Sequence, residues 1–475
     1  MKKIIIFTLF LCVSCASLNQ NIYNDNYNKI QNEIIKILES NVLKQTKIGI
    51  KVVSLNSGKV IFEQDSEKLF NPASNLKLIT SLVALKVLKP EYKFKTEIFS
   101  DLPYRENEIN NLYIKGSGDP SLNYFDLFKI SLYLSKKIKK ITGDIIADTS
   151  YFDNIPLGKG WMWDDNIEDY SAPISSLNLN NNCIDIYLNS GINEQNKVKV
   201  YIFPFTKYAD LLVNLNISYE DNITIERKTK PNGDLFLISG TISNNFINRK
   251  LRCSISNPVI YTLTVLKEVL EKNGIKVSGD LKEDILPKEK VLLISHESSV
   301  LTHIINFFLK ESDNHTGECL LKTLGATLSI PGTSNKGVKV IEKFLKEIGI
   351  EENSYRVVDG SGLSRYNLVS PSLFIKILEY AYKDFSIYPE YISALPISGI
   401  DGTLKDRMKG DRCERKVRAK TGTMSGISCI SGYLSTKNNE LLAVSIMMNG
   451  YIGSSKPYRD IQDRILDILV NGIDF

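Results

Sequence analysis

The chain has 475 residues, a formal net charge of +5 and 43% hydrophobic residues. That is longer than one ordinary domain and enough to bury a sizeable core, so two or three folding units are expected. Its positive charge is dispersed among acids without a basic stripe, which argues against a nucleic-acid binder.

The chain opens "MKKIIIFTLFLCVSCAS": Lys2 and Lys3, an apolar run from Ile4 to Val13, then small residues. This is the layout of a secretory signal and is too short for a permanent membrane anchor. Cleavage after Ala16 fits the small residues Ser14 and Ala16, giving a signal over 1–16. Cys15 also stands where a bacterial lipoprotein cysteine would, which would make the signal 1–14. An exported chain is expected, in the periplasm or on the outer cell surface, with membrane contact only through such a lipid. Downstream, Cys183, Cys253, Cys319, Cys413 and Cys429 are scattered and odd in number. Buried thiols with at most one disulfide are expected, not a zinc or redox site.

"KIGIKVVSLNSGKVIFEQ" (47–64) reads as two strands joined at Asn56, Ser57 and Gly58. "NPASNLKLIT" (71–80) follows, with Asn71 and Pro72 as a start signal for a buried helix. From about 95 to 245, segments such as "NNLYIKGSGDPSL", "CIDIYLNSG" and "GDLFLISGTIS" give short strands with Gly, Asn and Pro turns. Helical patterns return with "PVIYTLTVLKEVLEKNG" and "NKGVKVIEKFLKEIGI", the latter closing at a glycine. "ISGYLSTKNNELLAVSIMMNG" reads as a hairpin and "RDIQDRILDILVNGI" as a final amphipathic helix. Helices at both ends of a β-rich middle imply one domain, 22–92 with 258–475, interrupted by an insertion over 93–257. The insertion is expected to hold one or two small β-rich domains, a nested one covering about 156–225.

Ser74 and Lys77 are one helical turn apart, so the ammonium can reach the hydroxyl. In apolar surroundings a lysine loses proton affinity, and its neutral amine can take a proton from serine. A second candidate is Ser312-x-Asn314 in "ESDNHTGE", a hydroxyl and an amide suited to proton relay and amide binding. Alone it is weak, because Ser-x-Asn recurs at Ser121, Ser176 and Ser243, and these residue types favour turns and caps. The third is Lys420-Thr421-Gly422-Thr423 in "RAKTGTMSGIS", where a strand glycine points to close approach of a ligand backbone.

The three patterns in this order resemble the S-x-x-K, S-x-N and K-T-G set of serine penicillin-recognising enzymes. The long interval between Ser74 and Ser312 narrows the likeness to the class C low-molecular-mass penicillin-binding proteins, the D-alanyl-D-alanine carboxypeptidase and endopeptidase family. "GSGDPSL", "GWMWDDNIEDYSAPISSLNLNNN", "DGSGLSRYNLVSP" and "LPISGIDGTLKDRM" look like that family too. The resemblance implies an α/β (α+β) transpeptidase-like or β-lactamase-like domain, an antiparallel sheet flanked by helices, interrupted by a large β-rich insertion. It implies a serine D-Ala-D-Ala carboxypeptidase, an endopeptidase, or both, acting on peptidoglycan stem peptides through an acyl-enzyme. β-Lactams would acylate it, no cofactor or metal is needed, and self-association is left open.

Carried over by position, Ser74 would be the nucleophile and Lys77 its general base. Ser312 and Asn314 would line the cleft and assist proton transfer. Lys420 would supply positive charge, and Thr421 and Thr423 would meet the substrate carboxylate beside Gly422, the peptide stem lying along this strand. Backbone N–H groups of Ser74 and Thr423 would form the oxyanion hole. Asp165 and Tyr170 match insertion positions that sense the amine end of the stem peptide, and Arg365 matches another substrate-facing position. Ser425 departs from the glutamine the family often carries after K-T-G.

Three rivals remain. A serine β-lactamase needs a deacylating water, and no class A glutamate loop is identifiable. A zinc peptidase would use His296, His303 and His315, which form no H-x-x-x-H or H-E-x-x-H pattern. A non-catalytic wall-binding protein of the same fold predicts degenerate motifs, and these are intact.

Overall fold

The computed structural model describes residues 28–105, 107–189, 198–243 and 249–472. The signal and Cys15 lie outside them. At its centre is an antiparallel five-stranded sheet in the order Val417–Met424, Ile427–Ser435, Leu441–Asn449, Lys47–Ser54, Val60–Gln64. The chain ends thus supply adjacent strands, Lys47 opposite Asn449 and Ser54 opposite Leu442.

Two of the three inner strands, Ile427–Ser435 and Leu441–Asn449, are buried along nearly their whole length because both faces are covered. Alternation assigns their side chains to two cores. Cys429, Tyr433, Ala443 and Met447 face one core with the helices Lys77–Leu88, Leu301–Lys310, Asn314–Ala326, Ser334–Glu347 and Pro371–Lys383. Ile430, Leu434, Leu442, Val444, Ile446 and Met448 face the other, closed by the helix over 28–38 and by Lys456–Gly472. Lys77 to Leu85 are all buried, which is why that stretch reads as apolar on every side instead of amphipathic.

A separate core runs from Ile98 to Ile275. A second five-stranded sheet, Leu281–Glu283, Ile145–Asp148, Leu112–Gly116, Lys95–Ser100, Val291–Glu297, borders it. Two further three-stranded sheets lie between residues 183 and 254. These pairings differ from the boundaries read off the sequence. The helix Pro258–Lys272 places Tyr261, Leu263, Leu266 and Leu270 in the inserted core, and Val291–Glu297 pairs with Lys95–Ser100. Residues 258–297 therefore pack with the middle of the chain, and we place the insertion at about 93–298. The nested part is likewise not confined to 156–225, since Gly233–Ser243 and Arg249–Ser254 complete its sheets.

The five described cysteines are all free and buried, so no disulfide forms among them. No helix of the described residues is long and apolar enough to cross a membrane.

Candidate active site

The nucleophile turn is a short 3-10 segment, Ala73–Leu76, leading into Lys77–Leu88. Ala73 has φ +44°, and Asn71 Oδ1 accepts its N–H at 2.9 Å. Such backbone in a residue other than glycine costs on the order of 1–3 kcal/mol and is concentrated at functional sites. Ser74 is half-buried and Lys77 wholly buried. The Lys77 ammonium donates to Ser74 Oγ at 2.9 Å, Asn314 Oδ1 at 2.7 Å and the Ser361 carbonyl at 2.6 Å. Burial pushes the Lys77 pKa down to about 8, and the charges of Asp359, Asp313 and Glu318 act against that shift.

The Ser-x-Asn pair spans the join of a loop and a helix. Ser312 has φ +61°; Asp313 caps the Asn314–Ala326 helix, its carboxylate accepting from Thr316 N at 2.7 Å. Asn314 faces two ways: Oδ1 accepts from Lys77, and Nδ2 donates to the Tyr170 carbonyl at 2.9 Å. One amide thus ties the base to the inserted segment. Lys420 is wholly buried and donates to Ser312 Oγ and the Thr421 carbonyl, each at 2.9 Å. Burial first, then the nearby Lys77 charge, push the Lys420 pKa well down. The positive charge expected at Lys420 is therefore disfavoured in the free site.

Gly422 explains how the third motif meets the first. A Cβ there would lie 2.6 Å from the Pro72 carbonyl oxygen and 3.0 Å from the backbone nitrogens of Ser74 and Asn75. The glycine is required by the nucleophile turn, where the sequence pointed to an approaching ligand backbone.

A cleft of about 620 Å³ opens over this assembly. Ser74, Ser312, Asn314, Thr423, Asp165, Tyr170 and Arg365 line it. Lys77 and Lys420 lie beneath, and the Thr421 hydroxyl donates to Thr403 Oγ1 at 2.6 Å. The Tyr170 hydroxyl donates to Asp165 Oδ1 at 2.8 Å, and burial followed by the Asp165 contact pushes its pKa up. Among the described residues the Arg365 guanidinium makes long hydrogen bonds alone, at 3.4 and 3.5 Å, to the Ser425 carbonyl. The structure thus gathers at one place the residues read from the sequence as catalytic or substrate-binding. It adds residues that the sequence reading missed: Met162, Leu363 and Met424 as apolar lining, Thr403, and the buried carboxyls of Asp359 and Glu318. Thr403, Asp359 and Leu363 fall in stretches already noted for their family likeness, but nothing local singled them out.

The three histidines lie apart from this chemistry. His296 is on a strand opposite Thr96, His303 is exposed on a helix, and His315 is buried against Asn178, Asn182 and Cys319. Among the described residues no group of three or more His, Cys, Asp or Glu could hold a metal ion.

Comparison with known proteins agrees with this geometry. Residues 30–471 match the D-Ala-D-Ala carboxypeptidase 3 (S13) family. The chain is 30% identical over 446 residues to a D-alanyl-D-alanine carboxypeptidase of Actinomadura sp. (strain R39), covering 90% of this chain and 82% of that protein. It is 26% identical over 423 residues to the D-alanyl-D-alanine carboxypeptidase DacB of Haemophilus influenzae, 86% of each chain. Among solved structures, penicillin binding protein 4 of Haemophilus influenzae superposes with a TM-score of 0.81 at 24% identity, over 92% of this chain and 99% of that one. Its complex with a β-lactam gives 0.76 at 22% identity, over 93% and 99%. The chain belongs to the D-Ala-D-Ala carboxypeptidase 3 (S13) family and is a serine carboxypeptidase of the low-molecular-mass penicillin-binding class.

Proposed function

We propose that the cleft cleaves the bond after the penultimate D-alanine of peptidoglycan stem peptides by way of an ester to Ser74. The observation that carries the reading is the convergence of Ser74, Lys77 and Asn314 with Lys420 and Ser312, each link between 2.7 and 2.9 Å. Neutral Lys77 takes the Ser74 proton as Oγ attacks the carbonyl carbon. Backbone N–H groups of Ser74 and Thr423 receive the developing oxyanion, a contact worth roughly 3–4 kcal/mol per donor. The C–N bond then breaks, and the leaving amine collects its proton through Ser312, which Lys420 holds in place. Water adds to the ester, Ser74 regains its proton, and the shortened stem leaves as a carboxylate.

At the far rim, Asp165 is an anion suited to the ammonium end of a diamino acid side chain, and Tyr170 fixes its carboxylate. Arg365, exposed and weakly engaged, is free to meet a substrate anion. Terminal trimming and cross-bridge cutting would share these residues. The N-terminal signal supports work outside the cytoplasmic membrane, with Cys15 as the point for a lipid.

The test is digestion of purified muropeptides by the wild type and by Ser74→Ala. The wild type should release D-alanine and the variant none; equal cleavage by both would overturn the assignment. A stable benzylpenicillin adduct on Ser74 is expected, whereas rapid penicillin hydrolysis would point to a β-lactamase.

A further inference from the structure

Glu318 stands one helical turn beyond Asn314 on the same face of the Asn314–Ala326 helix. Its carboxyl is fully buried and does not line the cleft. Oε1 accepts from the backbone N–H groups of Gly360 and Ser361, both at 2.9 Å, while Oε2 has no hydrogen-bond partner among the described residues. An isolated buried carboxyl is costly, so its position calls for a compensating role.

The two amides belong to the loop that carries Lys77's third acceptor. The Gly360 carbonyl accepts from Thr80 Oγ1 at 2.7 Å, and the Ser361 carbonyl accepts from Lys77 at 2.6 Å. Asp359 grips the next peptide, accepting from Gly362 N at 3.0 Å and Ser364 N at 2.7 Å. The loop is wedged between the two catalytic segments. A Cβ on Gly360 would meet the Gly317 carbonyl oxygen at 2.2 Å, and one on Gly362 the Ala73 carbonyl oxygen at 2.0 Å. Any slip of the loop therefore moves either the nucleophile turn or the Asn314 helix.

We propose that Glu318 is a positioning residue for the general base, pinning the Gly360–Ser361 peptide so that the Ser361 carbonyl orients Lys77. The proposal rests on Lys77 being the base for Ser74. The charged groups that bear on the pair are few. Asp359 acts on both, Asp313 acts on Lys77, Lys420 feels the Lys77 charge from the Val417–Met424 strand, and Lys322 on the Glu318 helix is paired with Asp153. His315, on the same helix, is turned toward Asn178 and Asn182. Burial, then the Asp359 charge, push the Glu318 pKa up to about 8, the same region to which Lys77 is pushed down. Below about pH 8 Glu318 is thus mainly a neutral carboxyl, whose Oε1 still accepts from the two amides.

The experiment is the pH profile of Ser74 acylation by benzylpenicillin for the wild type, Glu318→Gln and Glu318→Asp, with Tm measured for each. Glutamine keeps an acceptor for the two amides and stays neutral, as the wild-type carboxyl mostly is below about pH 8, so it should hold the loop as the wild type does. The acid limb of Glu318→Gln should stay in place and its plateau close to the wild-type value. Aspartate keeps a carboxyl but withdraws it by one methylene. Its limb should stay in place while the plateau falls on the order of ten-fold, the penalty for a misplaced base. With the limb present in the wild type, a Glu318→Gln plateau that falls as far as that of Glu318→Asp overturns the proposal alone. A wild-type profile with no such limb overturns the Lys77 reading and the proposal with it. If Glu318→Gln does not fold, Glu318→Asp decides: a wild-type plateau overturns the positioning role.

Discussion

Gly422→Ala isolates the contact that joins the Lys-Thr-Gly strand to the nucleophile turn. The added methyl would sit 2.6 Å from the Pro72 carbonyl oxygen, where ordinary contact begins at 3.4 Å, so strand and turn must separate by about 0.8 Å. The three nearest atoms, Pro72 O, Asn75 N and Ser74 N, are all backbone, and no side chain can rotate away to absorb the methyl. Such overpacking costs typically 1–3 kcal/mol, and Tm should fall by a few degrees. The kinetic effect should be larger than the stability effect, because the separation opens between Ser74 and Thr423, the proposed oxyanion donors. Misplacement near 1 Å at a reacting centre costs on the order of 10²-fold in rate. The assay is the second-order rate of Ser74 acylation by benzylpenicillin, well below the variant's Tm. Acylation as fast as wild type would refute the view that this glycine sets the spacing of the site.

Two further outcomes follow from buried titrating groups. With the neutral Lys77 amine as base, acylation should rise with pH and level off above about 8, because the ammonium form predominates below that value. A rate independent of pH from 6 to 9 would remove Lys77 from that role. His315 is buried and its pKa is pushed down to about 4, chiefly by burial, so protonation favours the unfolded chain. Its contribution to stability is fully present above the ordinary histidine value of 6.5 and is lost as pH falls toward 4, by about 3 kcal/mol at most. Urea melts between pH 7 and 4 should show a shallower decline for His315→Gln, and equal slopes would refute the claim.

The sequence disclosed the parts of the site that chemistry places close together along the chain. Ser74 with Lys77, Ser312 with Asn314, and the Lys420–Thr423 run need particular residue types at short spacing, so they stand out. The partners that govern Lys77 leave no such trace. Its third acceptor is a backbone carbonyl at Ser361, and Glu318 and Asp359 are single acids whose burial only the fold reveals. Gly422 was legible as a close approach, but its neighbour Pro72 lies 350 residues away and could not be read locally. The same limit explains the misplaced boundary at 257. The apolar stripe of Pro258–Lys272 would fit either core, and only the pairing of Val291–Glu297 with Lys95–Ser100 shows which one it joins. The helix Tyr124–Leu134 was hidden among strand-like neighbours, though Asn123 caps it by accepting from Phe125 and Asp126.

The two buried lysines divide the proton between them, and the division bears on substrate choice. Both lose charge stabilisation on burial, but Asp359, Asp313 and Glu318 support a charge on Lys77, whereas Lys420 meets the opposing charge of Lys77. The free site therefore keeps its proton on Lys77 and leaves Lys420 an amine beside Ser312. In the proposed mechanism a substrate carboxylate arrives at Thr421 and Thr423, on the Lys420 side. That new anion favours an ammonium at Lys420, and a charged Lys420 in turn disfavours one at Lys77, freeing the base beside Ser74. The carboxylate would then be needed for proton placement as well as for binding. Acyl donors lacking a free carboxylate should lose kcat and not merely affinity, which is the pattern of an interaction made in the transition state.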